Sequence, residues 1–145
     1  MLLDLATTGT VARTLLLEYM QGSDAGDDFL LYTLLAVGGE PSPTALAQRM
    51  GAPLTTVSDR LNRLVERGPA ERIKNPLDGS SALFRLTDEG WKALRAVQPQ
   101  FHELLTNVTE RLSVPVEDVR HGLQALEDAL RAELAELNEK KTPVP

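Results

Sequence analysis

The densest run of side chains able to recognise another molecule lies between Thr55 and Arg63, where the chain reads TTVSDRLNR. Val57, Leu61, Leu64 and Val65 recur at spacings of four, three and one, which places them on one face of a helix ending at Gly68. The opposite face carries Thr55, Thr56, Asp59, Asn62 and Arg63, with Ser58, Arg60 and Arg67 beside them. Hydroxyls, an amide, a carboxylate and guanidinium groups in such a row can hydrogen-bond to base edges and phosphates. The other reading of such a face is a solvated helix surface, and only its surroundings separate the two.

Those surroundings are ordered. Ser42 can accept from the unpaired N–H groups of a first helical turn and Pro43 suits the first helical position, so a short helix carrying Leu46, Ala47 and Met50 inward is expected before Gly51. After the 55–67 helix, residues 70–75 (AERIKN) and 81–86 (SALFRL) are short enough for two strands. Pro76 and Asp78-Gly79 supply the turn between them. In this reading Ile73, Ala82, Phe84 and Leu86 face the core, while Arg72, Lys74 and Arg85 point outward and Ser80 sits at the hairpin tip. Thr87-Asp88-Glu89-Gly90 then reads as a cap followed by acids in a first helical turn, where the helix dipole favours negative charge. Helix, turn, helix, hairpin is the plan of a winged helix-turn-helix, and the fold class expected is mainly α with a small β-hairpin.

The run TTVSDRLNRLVERG, followed by ERI, NPLDG and LFRLTDEG, resembles the recognition helix, wing and closing Leu-Thr-x-x-Gly of the MarR family of bacterial winged-helix regulators. The order and spacing of these pieces from 42 to 90 carry the resemblance, and the flanking helices agree with it. It implies a homodimeric transcriptional regulator, a repressor relieved by a small apolar or aromatic effector. Its DNA contacts fall at Thr55, Thr56, Ser58, Asp59, Arg60, Asn62, Arg63, Lys74, Ser80 and Arg85 on a pseudo-palindromic double-stranded operator. The chain departs from the family at two places: Asp59 stands where many members carry Arg, and the wing tip reads Asp78-Gly79-Ser80-Ser81 where the family has basic residues. These departures support a second expectation, a winged-helix dimer with weakened DNA binding that acts through protein contacts.

The chain has 145 residues, 42% of them apolar, the size of one domain with a sizeable core. The expected organisation is a single domain over 1–145, with a DNA lobe at about 42–90 and dimerisation helices at about 1–22 and 88–140. The net charge of −6 is unevenly distributed. Residues 41–92 hold eight basic against six acidic side chains, whereas the remainder holds seven against fifteen. A lobe of only +2 on an acidic body predicts modest, salt-sensitive affinity for phosphates.

The flanking helices offer apolar seams. From Val116, apolar residues fall at Val119, Leu123, Leu126, Leu130, Leu134 and Leu137, alternating steps of three and four before two further turns. The N-terminal run adds Leu5, Ala12, Leu15, Leu16 and Tyr19, and the helix after Thr87 adds Trp91, Leu94, Val97, Phe101 and Leu104, with Pro99 expected to kink it. Such seams exceed what one small lobe covers, so an intertwined homodimer is expected, with Leu5, Leu15, Leu16, Val119, Leu123, Leu126 and Leu130 at its interface. KKTPVP reads as a frayed tail. Residues 29–37 are apolar on nearly every side and must be buried. A ligand pocket beside them would draw on Tyr19, Tyr32, Phe101 and His102, although with aromatics at 4% the plain alternative is that these fill the core.

Other chemistries lack their residues. His102 and His121 stand in no metal-binding spacing, so neither a metal nor a cofactor is expected. Serines occur without a nucleophile elbow, there is no phosphate-binding glycine loop, and the acids are spread along amphipathic patterns, so the expectation is not an enzyme. Cysteine is absent, which excludes disulfides and thiol switches. No apolar run approaches a membrane span and MLLDLATTGT lacks the basic start of a signal peptide, so a cytoplasmic protein is expected.

Overall fold

The computed structural model describes residues 1–21 and 28–141, so the last residue of the expected 1–22 segment and the tail residues 142–145 lie outside the described residues. Two compact units divide the chain, 1–104 and 105–145, and α5 (Asp88–Glu110) runs from the first into the second.

The first unit opens with α1 (Leu2–Tyr19) and α2 (Phe29–Val37). Apolar around its whole circumference, α2 buries Leu31, Tyr32, Leu34 and Leu35 and forms the middle of the core. Around it pack Leu46 and Ala47 of α3 (Pro43–Met50), Val57, Leu61 and Leu64 of α4 (Leu54–Arg67), and Leu94 and Val97 of α5. The start of α3 is built as its residues dictate: Ser42 Oγ accepts from the Ala45 N–H at 3.2 Å and Pro43 occupies the first turn. Gly51 and Gly68 close α3 and α4 in the left-handed region, at φ 61° and 104°.

The wing is an antiparallel pair, β1 (Ala70–Lys74) and β2 (Ala82–Leu86), each strand one residue shorter than the sequence suggests. Asn75 and Ser81 leave the ladder and bond to each other instead, Asn75 Nδ2 donating to Ser81 Oγ at 2.8 Å. Arg72 and Lys74 are exposed and Ile73 is half-buried, as expected, but the register places the two cations on the face of β1 that turns toward the core. Ala70 pairs with Leu86, Arg72 with Phe84 and Lys74 with Ala82, and directly opposed residues share a face. Arg72 and Lys74 therefore lie on the face that carries buried Phe84 and Leu86, whereas Ile73 faces Leu83 on the other side, both half-buried. Ala70, 2% exposed, decides this: anchoring it in the core fixes every second residue of β1 to the same side.

No residue of α1 is fully buried: Leu5 and Leu16 are half-buried, Leu16 packs against the core, and Leu2, Leu3, Val11 and Leu15 are exposed. Pro99 lies inside α5, where its ring removes one helical N–H.

The second unit holds the end of α5 and α6 (Val116–Lys141). Helix α6 takes in Lys140 and Lys141, which the sequence assigns to a tail; the pairs Arg131–Glu127 and Lys140–Glu136 one turn apart favour continuation. It buries no residue: Val119 and Leu126 are half-buried, and Leu123, Leu130, Leu134 and Leu137 are exposed. No described helix is long and apolar enough to cross a membrane.

Candidate nucleic-acid interface

Helix α4 presents its polar face to solvent because the opposite side is taken by Val57, Leu61 and Leu64, each fully buried. Thr55, Thr56, Asp59, Asn62 and Arg63 are exposed along that face. Arg63 and Asp59 make no ion pair among the described residues, which leaves a five-donor cation and an acceptor-only anion side by side in water. Arg60 is placed differently. It is half-buried and its guanidinium is 3.8 Å from the Asp28 carboxylate at the start of α2, so this charge is matched within the protein.

Ser58 and Asn62 border a cavity of about 350 Å³ between α3, α4 and the hairpin, together with Pro43, Leu54, Arg72 and Phe84. Its lining is mixed: Pro43, Leu54, Ala82 and Phe84 are apolar, while Arg72, Asn62 and the hydroxyls of Ser42, Thr44, Ser58 and Ser81 are polar. Arg72, which points outward in the sequence pattern, borders this cavity because AERIK alternates equally well in either register and only the packing of Ala70 selects one.

The wing tip is held by its own side chains. Asn75 Oδ1 accepts from the Leu77 N–H at 3.0 Å, and the Asp78 carboxylate accepts from the Ser80 N–H at 3.0 Å and the Ser80 hydroxyl at 2.7 Å. The Ser80 hydroxyl, followed by the Ser80 N–H, holds the Asp78 carboxyl below its ordinary pKa by bonding to its charged form. These bonds fix the turn that points Leu77, 96% exposed, into solvent, a feature the sequence pattern does not announce. No arginine is at the tip, but the Lys74 stem lies 3.5 Å from where a Gly79 side chain would begin, so the nearest cation reaches it from β1.

Arg85 sits on the other face of the wing. Its Nε donates to Glu71 at 2.6 Å and its Nη1 to Glu40 at 3.3 Å, which raises its already high pKa, Glu71 contributing most. The Phe84 N–H donates to the Pro41 carbonyl at 3.1 Å, so the segment before α3 is tied to β2 by backbone as well as by charge. An arginine expected among the DNA contacts is thus shared between two carboxylates that brace the wing.

The four pocket candidates do not gather around this cavity. Tyr32 is fully buried in the core with Leu31, Leu34 and Leu35 of the same helix. Phe101 packs on Phe29 with ring centroids 4.7 Å apart. His102, one residue and about 100° further round α5, is exposed, and Tyr19 is half-buried at the end of α1. Among the described residues no group of acids and histidines is placed to hold a metal ion.

Neither a scan of protein-family models nor a search of curated proteins finds a match to this chain. Solved structures do match. A mutant of MarR from E. coli complexed with operator DNA superposes with a TM-score of 0.76 at 22% identity, covering 84% of this chain and 89% of that one. The transcriptional regulator BldR from Sulfolobus solfataricus gives 0.72 at 18% identity over 88% of this chain and 94% of its own. The PcaV transcriptional regulator from Streptomyces coelicolor, in complex with its natural ligand, gives 0.65 at 22% identity over 91% and 89%. With six helices and a two-stranded wing among its described residues, the chain has the winged-helix fold of the MarR-type regulators.

Proposed function

We propose that the protein is a MarR-family transcriptional regulator, a cytoplasmic homodimer that binds a pseudo-palindromic operator in double-stranded DNA and acts by binding rather than by catalysis. The observation that carries this reading is the exposed face of α4, with Thr55, Thr56, Asp59, Asn62 and Arg63 in one row beside a wing, on a fold shared with a regulator solved on operator DNA. Helix α4 enters the major groove and the wing follows the neighbouring backbone. The exposed leucines of α6 and the apolar residues of α1 supply the dimer surface, which a lone subunit leaves in water.

As a repressor it would release DNA when a small effector binds. The ligand complex of PcaV supports an effector, and the cavity between α3, α4 and the wing suits a small aromatic molecule with an acidic group that Arg72 can pair. Filling that cavity would alter the angle between reading helix and wing.

One observation favours a second reading. Arg60 and Arg85 are engaged with carboxylates, and the wing tip presents Leu77 and Asp78 rather than a cation, as in a dimer that works through protein contacts. Selection of bound fragments from random DNA by the purified protein separates the two. Enrichment of an inverted repeat supports the regulator; absence of any enrichment at low salt leaves the protein-contact dimer.

A further inference from the structure

We infer that Asp59 is a base-reading residue: its carboxylate accepts a hydrogen bond from the exocyclic amino group of a cytosine in the major groove and fixes one position of each half-site. The inference rests on the DNA-binding reading above and names the specificity of that same surface.

Four observations lead to it. Asp59 is exposed on the face of α4 that carries Asn62 and Arg63, three and four residues further on, so the three side chains leave the helix on one side. Among the described residues Asp59 has neither an ion pair nor a hydrogen bond, although Arg63 stands at the spacing where a helical Asp–Arg pair forms. The other nearby cation, Arg60, is directed to Asp28. Finally, Asp59 lies beyond the first turn of α4, which holds no acid, so the helix dipole gives it no structural role there.

The chemistry selects the base. A carboxylate only accepts, so it is repelled by phosphate and by the acceptor edges of guanine (O6, N7) and thymine (O4). Only cytosine N4 and adenine N6 donate in the major groove, and adenine sets its N7 acceptor next to that donor. In a C·G pair the cytosine amino group is flanked on one side only, by O6 of the paired guanine, whereas the adenine amino group lies between its own N7 and thymine O4. Asp59 thereby lowers affinity for generic DNA while raising discrimination, a repulsive element against wrong sites as much as an attraction for the right one.

The test is selection from random DNA by the full-length protein and by Asp59→Ala and Asp59→Asn, followed by titration of the best site and its single-base variants. The wild type is expected to enrich a cytosine at one position of each half-site and to discriminate there by roughly 5- to 100-fold. Asp59→Ala should lose that preference and bind random DNA more tightly, and Asp59→Asn should move the preference toward adenine. Placing N4-methylcytosine at the position should weaken the wild type and leave Asp59→Ala unaffected. If both variants tighten all sequences alike and keep the wild-type consensus, Asp59 is merely repulsive and the inference is wrong, while the regulator stands. If the wild type enriches no sequence, the DNA-binding reading fails and takes the inference with it.

Discussion

The hydroxyl of Thr87 donates to the backbone carbonyl of Gly68 at 2.7 Å and so ties the end of α4 to the start of α5. The same oxygen accepts from the Gly90 N–H at 3.2 Å, and the Thr87 N–H donates to Pro69 at 3.0 Å. Gly90 packs so closely on the Pro69 carbonyl that a side chain there would overlap backbone, which cannot move aside as a side-chain tip can. The Leu-Thr-x-x-Gly sequence is therefore a joint that sets the wing and α4 relative to α5.

Thr87→Ala should lower stability by about 1–2 kcal/mol, since one cap and one carbonyl partner disappear together. Gly90→Ala should lower it toward the upper end of about 1–3 kcal/mol by overpacking. Urea unfolding followed by circular dichroism checks both; an unchanged midpoint for Gly90→Ala would show that the joint yields.

The apolar seam of α6 predicts that a charge at Leu126 or Leu130 dissociates or unfolds the dimer, because an unpaired charge held in an apolar interface costs several kcal/mol. Light scattering at micromolar concentration reads the outcome. A well-folded wild-type monomer would remove the dimer from the proposal.

Arg63 and Arg85 should differ in kind. Arg63 is exposed with no ion pair among the described residues, so Arg63→Ala should lose about 1–3 kcal/mol at one base position and relax preference there. Arg85 already shares its charge with Glu71 and Glu40. Arg85→Ala should weaken all sequences alike and change the slope of log affinity against log salt by less than one unit. Equal, sequence-independent losses from the two variants would show that Arg63 does not read bases.

The wing tip leaves the negative potential of a narrow minor groove without an arginine. Ser80→Arg keeps the backbone bond from residue 80 to Asp78 and adds one cation per subunit. The salt slope should steepen by up to about two units per dimer, with tighter binding at low salt. No change in either, with the dimer intact, would mean that the hairpin does not lie on DNA.

Asp78 supplies a pH test of the same turn. Because its folded pKa is depressed, its contribution to tip order is fully present above the ordinary carboxylate pKa and is lost as pH falls through the lower folded value. Ser80→Ala should move the Asp78 midpoint in a carboxylate NMR titration upward, toward that of an unbonded side chain. A midpoint unmoved by Ser80→Ala would place the cause elsewhere.

Elements controlled by local chemistry are legible in the order of the residues. Ser42 and Pro43 start α3, Gly51 and Gly68 end two helices in the left-handed region, and the spacing of Val57, Leu61 and Leu64 decides which face of α4 meets water. Caps and helical periods act over a few residues, so they can be read without knowing what packs where. Tertiary structure alone decided the rest. Arg60 meets Asp28, and Arg85 meets Glu40 across 45 positions of chain, pairings that no periodicity encodes. Arg72 and Lys74 turn to the Phe84 face because Ala70 is drawn into the core, and a strand with a two-residue period follows wherever one anchor is set. Tyr32 is core because other elements cover its side of α2, whereas Leu30 and Val37 of the same helix stay exposed although residues 29–37 read as buried throughout. A charge or ring is committed by whichever distant residue packing brings within a few ångströms, and that proximity is a property of the folded chain.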